Sequence, residues 1–118
     1  MIVLLIALAG SAGAVARFVV DGAVRWRTAG DFPWATLAIN VTGSLLLGGL
    51  AGALADPESS WRLAVGVGFC GGYTTFSTAS FETVRLVQRG RYRAALLFGA
   101  GGLLACVLAA AAGWSLTS

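Results

Sequence analysis

The stretch GVGFCGGYTTFSTASFE, residues 66–82, decides the fold of this chain because it places polar groups inside a long apolar segment. Five hydroxyl side chains lie between Thr74 and Ser80, just after the glycine pair Gly71-Gly72. Glycine weakens a helix interior by about 1 kcal/mol relative to alanine, and freed backbone groups in hydrocarbon need protein, water or an ion as partner. We therefore predict a membrane helix that breaks near Gly71–Thr75, with its freed carbonyl groups facing a polar site, as in other broken membrane helices.

Composition and charge point away from soluble classes of protein. Apolar residues make up 58% of the 118 residues, charged residues only 11%, and the mean hydropathy is +0.84. A soluble domain has roughly 25% charged residues, so we predict a membrane protein that lies almost entirely in the bilayer. All eight basic residues are arginines and the net charge is +3. In so apolar a chain, the arginines indicate the flanks of membrane spans. We therefore predict no nucleic-acid partner.

The apolar segments predict an all-α membrane protein with a single domain over residues 1–118. About 20 helical residues cross the hydrocarbon core, which predicts four transmembrane helices at about residues 2–24, 34–54, 61–88 and 94–114. The first segment has one alternative, a signal peptide cleaved near Ala14-Val15-Ala16, but it lacks the positively charged start of such peptides. We predict that it is retained as a helix.

Three polar residues in these spans each allow two interpretations. Arg17 either extends its guanidinium to the bilayer surface or attracts anions in a vestibule, and both interpretations stay open. Asn40 either bonds to another helix, for about 1–2 kcal/mol, or offers an amide donor to a polar path. Glu82 has Arg85 at i+3, and a local ion pair is the favoured interpretation.

Small residues in the spans predict helix packing. Ser44, Gly48 and Gly52 recur every four residues and form a ridge that suits close approach of another helix. Cys70 and Cys106 lack metal-ligand spacing, and we interpret them as small buried hydrophobic residues. The sequence has no nucleophile–base pair, no carboxylate pair in a cleft and no phosphate-binding glycine loop. An enzyme is therefore not predicted.

The polar residues around the predicted break suit an anion path. Asn40, Ser77 and Thr78 can donate hydrogen bonds without carrying a full positive charge, and the ring edge of Phe76 is weakly positive. Such donors replace a hydration shell yet bind loosely enough for release. Carbonyl oxygens freed at the break suit a small hard cation. The chemistry alone predicts an anion path beside a cation site and does not name the ions.

Three motifs resemble a known family. GGYTTFST at 71–78 resembles the signature of the Fluc (CrcB) fluoride-specific ion channels, and the resemblance extends to GSAGAVARF at 10–18 and PWATLAINVTG at 33–43. With four spans at matching positions it covers essentially the whole chain. The resemblance implies a multi-pass protein of the bacterial cell membrane, surrounded by membrane lipid, that pairs as an antiparallel dimer. It also implies passive export of fluoride ion from the cytoplasm through two pores.

The resemblance also implies roles for particular residues. A structural, non-transported Na+ ion at the dimer centre would be held by the backbone carbonyls of Gly71 and Thr74. The pore asparagine falls on Asn40 and the first pore phenylalanine on Phe76. The pore hydroxyls fall on Ser77 and Thr78, and the vestibule arginine falls on Arg17.

The sequence departs from the family pattern where a second phenylalanine is usual, because that position is Ala79. Phe81 does not replace it, since two residues are about 200° around a helix. The fourth span also lacks the usual hydroxyls, and Cys106 lies near one such place. These departures favour, as an alternative to a homodimeric channel, a non-conducting or half-competent subunit of a heterodimer. A small four-span exporter is a separate alternative. An exporter would carry an intramembrane carboxylate, and Glu82 is the only candidate.

Arginine counts predict the orientation. With four spans, both termini and the turn at 55–60 share one side, which carries only Arg62 among the loop arginines. The opposite side carries six: Arg25, Arg27, Arg85, Arg89, Arg91 and Arg93. The positive-inside rule then places both termini outside the cytoplasm. A fixed orientation favours a heterodimer with an oppositely oriented paralogue over a homodimer.

Overall fold

The computed structural model describes residues 1–54, 56 and 59–118, so Ala55, Pro57 and Glu58 of the predicted turn lie outside the described residues. All regular elements in the described part are helices, and it contains no strand. We label them α1 (Ile2–Arg27), α2 (Trp34–Ala53), α3 (residues 60–73, made of Ser60–Arg62, Leu63–Cys70 and Gly71–Tyr73), α4 (Phe76–Gln88) and α5 (Tyr92–Thr117).

Three helices, α1, α2 and α5, are long and apolar enough to cross a membrane. They correspond to the first, second and fourth predicted segments, except that α1 continues to Arg27 and α5 extends past both predicted ends, from Tyr92 to Thr117. Large apolar side chains cover the outside of the molecule. Trp26 and Trp61, which the sequence places at span ends as interfacial anchors, are 86% and 71% exposed. This is the surface that a bilayer covers, and the chain is a multi-pass membrane protein.

The third apolar segment is broken, as predicted, but the glycine pair is not the break. Thr74 and Thr75 are the extended residues, with ψ of 161° at the first and φ of −149° at the second. Gly71 and Gly72 are still helical. A Cβ at Gly72 would lie 2.2 Å from the backbone oxygen of Gly10 in α1. This glycine therefore lets α3 approach α1 and does not end the helix.

Residues Leu63–Cys70 of α3 wind as a π-helix, which the sequence interpretation did not predict. A π-helix bonds each N–H five residues back and is usually a single wide turn near a functional site. Two of its glycines, Gly66 and Gly68, are buried. A Cβ at Gly68 would lie 2.8 Å from the side chain of Ala9, so the π segment packs directly on α1.

The pair α2 and α5 also packs through glycines. A Cβ at Gly48 would lie 2.0 Å from the backbone oxygen of Ala110, and one at Gly52 would lie 2.7 Å from that of Trp114. These contacts confirm the predicted packing of Gly48 and Gly52. Ser44, the third member of the predicted ridge, lines a cleft between α2 and the other helices.

A small core joins the hairpin of α4 and α5 to the start of α2. Leu86, Ala94, Ala95 and Phe98 are buried together, with Phe32, Leu37 and Ala79 packed against them. The rings of Phe32 and Phe98 meet edge to face at 5.8 Å, a favourable aromatic geometry. The turn between the two helices contains Gly90 at φ 74°, a conformation that glycine adopts without steric cost. This core fixes α4 beside α2.

Candidate functional site: a polar cleft at the helix break

The break opens onto a cleft of about 630 Å³ between α2, α3, α4 and α5. Its walls are mainly apolar, including Leu37, Leu47 and Leu103. A limited set of polar residues also lines it, namely Asn40, Ser44, Thr74, Thr75, Ser80 and Thr83. An apolar cleft with a few placed polar groups is the usual form of a small-ligand site.

Asn40 and Thr75 form the central contact of this cleft. The side-chain Nδ2 of Asn40 donates to the Thr75 carbonyl at 3.0 Å, and the Thr75 N–H donates to Asn40 Oδ1 at 2.9 Å. In an unbroken α-helix the Thr75 N–H would bond to the carbonyl of Gly71. The amide of Asn40 takes over that bond, so both backbone groups of Thr75 are satisfied within the break.

Threonine hydroxyls close the two helix ends on either side of the break. Thr75 is the N-cap of α4, and its Oγ1 accepts from the N–H of Thr78 at 3.1 Å; such caps contribute about 1 kcal/mol. Thr74 Oγ1 donates to the carbonyl of Cys70 at 2.8 Å, and the Thr74 N–H donates to the same oxygen. The Gly71 carbonyl, by contrast, has lost the N–H of Thr75 to Asn40.

The end of α3 is anchored on α2 by Tyr73. Its hydroxyl shares a hydrogen bond of 2.8 Å with the Thr42 hydroxyl, and its ring stacks on Phe69 at 5.8 Å. A Cβ at Gly43 would lie 2.3 Å from the Thr74 side chain. The glycine on α2 therefore lets the break sit directly against that helix.

Glu82 is not paired with Arg85, and that prediction is wrong. The Thr36 hydroxyl donates to Glu82 Oε1, and Arg25 lies 3.6 Å from Glu82 Oε2. The Arg25 guanidinium also bonds to both oxygens of Asp21 at 2.9 Å. Residues 36 and 82 meet because α2 and α4 lie side by side, a tertiary contact that a helix-local i+3 rule does not see.

Two residues of α2, Thr36 and Asn40, therefore hold α4 at two points. They lie four residues apart, on one face of the helix. Asn40 holds the residue before α4 and Thr36 holds Glu82, about two turns further along. Thr36 is only 1% exposed. The position of α4 beside the cleft depends on these buried polar contacts.

The predicted site residues fall into two groups. Asn40, Gly71, Thr74 and Phe76 line the same cleft, and Phe76 is 87% exposed there. Three residues do not line it: Ser77, which is exposed, and Thr78 and Arg17, which are half-buried. Arg17 forms no hydrogen bond or ion pair with the part of the chain that the structure describes.

Sequence reasoning missed Thr75, Thr36 and Ser44. Thr75 carries an available signal, since threonine three residues before Thr78 at a helix restart is a favoured N-cap. Thr36 leaves no local signal, because its partner lies 46 residues away in the chain. Ser44 shares spacing with two packing glycines, and only the fold turns it toward the cleft.

These features define an integral membrane protein with several helices, in which one broken helix faces a mainly apolar cleft with a few placed polar groups. Channels and transporters that bind ions within the membrane have this arrangement.

Comparison with known proteins gives the family. The chain matches the family described as CrcB-like protein, Camphor Resistance (CrcB), over residues 4–114. It is 54% identical over 118 residues to "Fluoride-specific ion channel FluC 1" of Leifsonia xyli, covering 96% of this chain and 84% of that protein. It is 44% identical over 121 residues to "Fluoride-specific ion channel FluC 2" of Cutibacterium acnes, covering 100% and 98%. The chain therefore belongs to the CrcB family, whose members here are named as ion channels and not as enzymes.

The contact between Thr36 and Glu82 leads to a prediction about stability. Thr36→Val removes a buried donor and leaves the Glu82 carboxylate with one fewer partner. We therefore expect the free energy of unfolding to fall by about 1–3 kcal/mol. Glu82→Gln keeps an acceptor oxygen for Thr36, and we expect a smaller loss. The measurement is the thermal unfolding midpoint in detergent. Thr28→Val, which changes an exposed threonine outside the contact, is the control. If Thr36→Val unfolds at the same temperature as this control, the contact does not hold α4.

Proposed function

We propose that this chain is a subunit of a fluoride-specific ion channel that passively exports cytoplasmic fluoride and so lowers its toxicity. The observation that carries the proposal is that Asn40 and Phe76 line one cleft at the helix break. Membership of the CrcB family, with relatives named fluoride-specific ion channels, supports the choice of ion. The proposal includes the broken third segment, residues 60–88, as a membrane span in addition to the three long helices. Together α3 and α4 are long enough to cross a hydrocarbon core of about 30 Å.

The chemistry of the cleft suits a small, strongly hydrated anion. Asn40 uses one N–H of its amide on Thr75, and an amide carries two, so a second N–H is left for an anion. The ring edge of Phe76 offers further weak positive potential. Ser77 and Thr78 extend the path along α4 as hydroxyl donors, and Arg17 raises the local anion concentration from the vestibule. Donors without full charge replace the hydration shell and still release the ion.

Fluoride efflux tests this function. Liposomes loaded with potassium fluoride and containing the chain, alone or with its partner subunit, should release fluoride when valinomycin lets potassium follow. Asn40→Asp places a negative charge on the path, and we expect efflux to slow by about tenfold or more, equivalent to about 1.4 kcal/mol. A fluoride electrode makes the measurement.

Two controls complete the efflux test. Gly101→Ala changes a position with open space around it and should leave efflux unchanged. Size-exclusion chromatography checks that the Asn40→Asp protein assembles, because the new carboxylate oxygen also faces the Thr75 carbonyl. Unchanged efflux from an assembled Asn40→Asp protein would remove Asn40 from the path.

We also propose a structural sodium ion held by the carbonyl oxygens of Gly71 and Thr74, which is not transported. Carbonyl oxygens are hard donors and suit a small hard cation. The Gly71 carbonyl has lost its helical donor to Asn40, and a Cβ at Gly71 would meet nothing within 4 Å. The donor set and the open surroundings fit an ion shared with a second subunit, which would supply the remaining ligands.

Two variants test the sodium site. Thr74→Val keeps the main-chain oxygen, so dimer formation should still depend on sodium. A Cβ at Gly71 lies in open space, so the Gly71→Val subunit should fold, but the added side chain should crowd the ion and weaken the dimer. The measurement is the dimer fraction in sodium chloride against N-methylglucamine chloride. Equal dimer fractions in both salts would rule out the structural sodium ion.

We propose an antiparallel dimer with an oppositely oriented paralogue. Two ion pairs lie at the end of the molecule that carries six of the loop arginines: Arg25 with Glu82, and Arg91 with Asp31. The positive-inside rule favours that end in the cytoplasm and both termini outside. A partner with the opposite bias would supply the phenylalanine missing at Ala79 and hydroxyls missing from α5.

In the alternative, this chain is a non-conducting or half-competent partner. The exporter alternative is not favoured, since Glu82 is engaged by Thr36 and Arg25.

Cysteine labelling at Ser118 tests the orientation. In intact cells, Ser118→Cys should react with a membrane-impermeant thiol reagent from outside, with Cys70 and Cys106 replaced by alanine to remove background. Labelling confined to lysed cells would reverse the proposed orientation. Equal labelling from both sides, together with efflux by the chain alone, would show that the fixed-orientation heterodimer is wrong.

A further inference from the structure

One end of the molecule collects positive charge from three helices. Arg25 near the end of α1 pairs with Glu82 of α4 at 3.6 Å. Arg91, just before α5, pairs with Asp31 of the loop after α1 at 2.6 Å. The first contact joins the end of α1 to the middle of α4, and the second joins the loop after α1 to the start of α5. The turn between α4 and α5 therefore lies at the same end of the molecule as the end of α1.

The positive charge at this end exceeds the negative charge. Its acidic residues, Asp21, Asp31 and Glu82, are all paired, with Arg25 or Arg91. Four more arginines belong to the same helix ends and form no ion pair with the described residues; all are exposed: Arg27, Arg85, Arg89 and Arg93. This end therefore attracts anions within a Debye length of about 8–10 Å of its surface.

A cavity of about 380 Å³ lies within this charged end, at the turn between α4 and α5. Arg91, Tyr92 and Arg93 supply its polar lining, and Phe32 and Leu97 supply apolar lining. Arg91 is the partner of Asp31, whereas Arg93 has no acidic partner in the described part of the chain. The cavity thus combines a cation available for an anion with an apolar wall, and Leu97 continues along the lipid-facing surface at 60% exposure.

We propose that this cavity binds the phosphate of an anionic phospholipid. A guanidinium binds phosphate with paired, charge-assisted hydrogen bonds, so Arg93 holds the headgroup. Tyr92, 67% exposed, occupies the interfacial position that aromatic residues favour, and the first carbons of an acyl chain pack on Leu97. A lipid is the phosphate source that fits, because the helices behind the cavity lie in the bilayer. The apolar wall can contact an acyl chain, whereas a free phosphate ion has no apolar part to pack against it. Arg85 and Arg89 add the surrounding potential that attracts anionic lipid over neutral lipid.

Thermal unfolding in the presence of lipid tests the proposal without measuring ion flux. The purified protein in a neutral detergent is titrated with short-chain phosphatidylglycerol, short-chain phosphatidylcholine or glycerol phosphate. We expect phosphatidylglycerol alone to raise the unfolding midpoint, since a ligand that binds only the folded state stabilises it. In Arg93→Gln, the phosphatidylglycerol concentration that gives half of the full increase in unfolding midpoint should be about fivefold higher or more.

Arg27→Gln is the matched control, because it removes the same charge from the same end but lies outside the cavity. It should leave most of the shift in place. Arg93→Lys, which keeps the charge but not the bidentate geometry, should fall between Arg93→Gln and the unchanged protein, and it replaces Arg93→Gln if that variant does not fold.

Three results would overturn the site. Equal losses in Arg27→Gln and Arg93→Gln would mean diffuse attraction to the charged end and no cavity site. An equal shift with glycerol phosphate would mean a site for free phosphate. No shift with phosphatidylglycerol would mean that the cavity binds no anionic lipid.

Discussion

The reciprocal hydrogen bonds between Asn40 and the backbone of Thr75 are the interaction on which the rest of this structure depends. A helix that breaks within a membrane leaves N–H and C=O groups that hydrocarbon does not satisfy, at a cost of several kcal/mol each. One asparagine amide satisfies both groups of the residue at the break. The Thr75 hydroxyl then caps the helix that follows, where it accepts from the N–H of Thr78 in the first turn of α4. Two side chains thus satisfy the backbone groups of Thr75 and one N–H of the following helix, whereas the Gly71 carbonyl has lost its helical donor.

Close contact between backbones makes this arrangement possible in so small a chain. Gly43 lets the break lie against α2, Gly72 lets α3 lie against α1, and Gly48 lets α2 lie against α5. Without a hydrophobic driving force between helices in lipid, association depends on such packing and on interhelical hydrogen bonds. The helices are thus held by small residues on their inner faces. Most of their large apolar residues remain outside, where the bilayer contacts them.

Polar contacts set where α4 lies, and an excess of positive charge collects at one end of the molecule. Thr36 and Asn40 fix α4 beside the cleft, and Arg25 extends the contact from Glu82 to α1. The same end of the molecule carries arginines without acidic partners in the described part of the chain. Burial of the uncharged donor Thr36 makes its bond strong, because the local dielectric is low. The exposed arginines instead act over the longer range of surface electrostatics. One end of the molecule therefore combines internal polar contacts with an excess of exposed positive charge.

The sequence by itself determined the class of protein, three long apolar helices and the existence of the break. These depend on local quantities, namely hydropathy, segment length and the run of hydroxyl residues after the glycine pair. It also indicated Asn40 and Phe76 as residues of one polar site. Asn40 offers an amide donor inside an apolar segment, and Phe76 offers a ring edge within the run of hydroxyl residues after the glycine pair. Only the tertiary structure decided that the break falls at Thr74 and Thr75 and not at the glycines, since the space that Gly72 provides is filled by the backbone of α1. It also decided that Glu82 pairs with Thr36 and Arg25 and not with Arg85. The physical reason is the same in both cases, because each outcome depends on which helices are neighbours in the fold. Residues 36 and 82, and residues 10 and 72, are far apart in the chain, so no local sequence pattern records their contact.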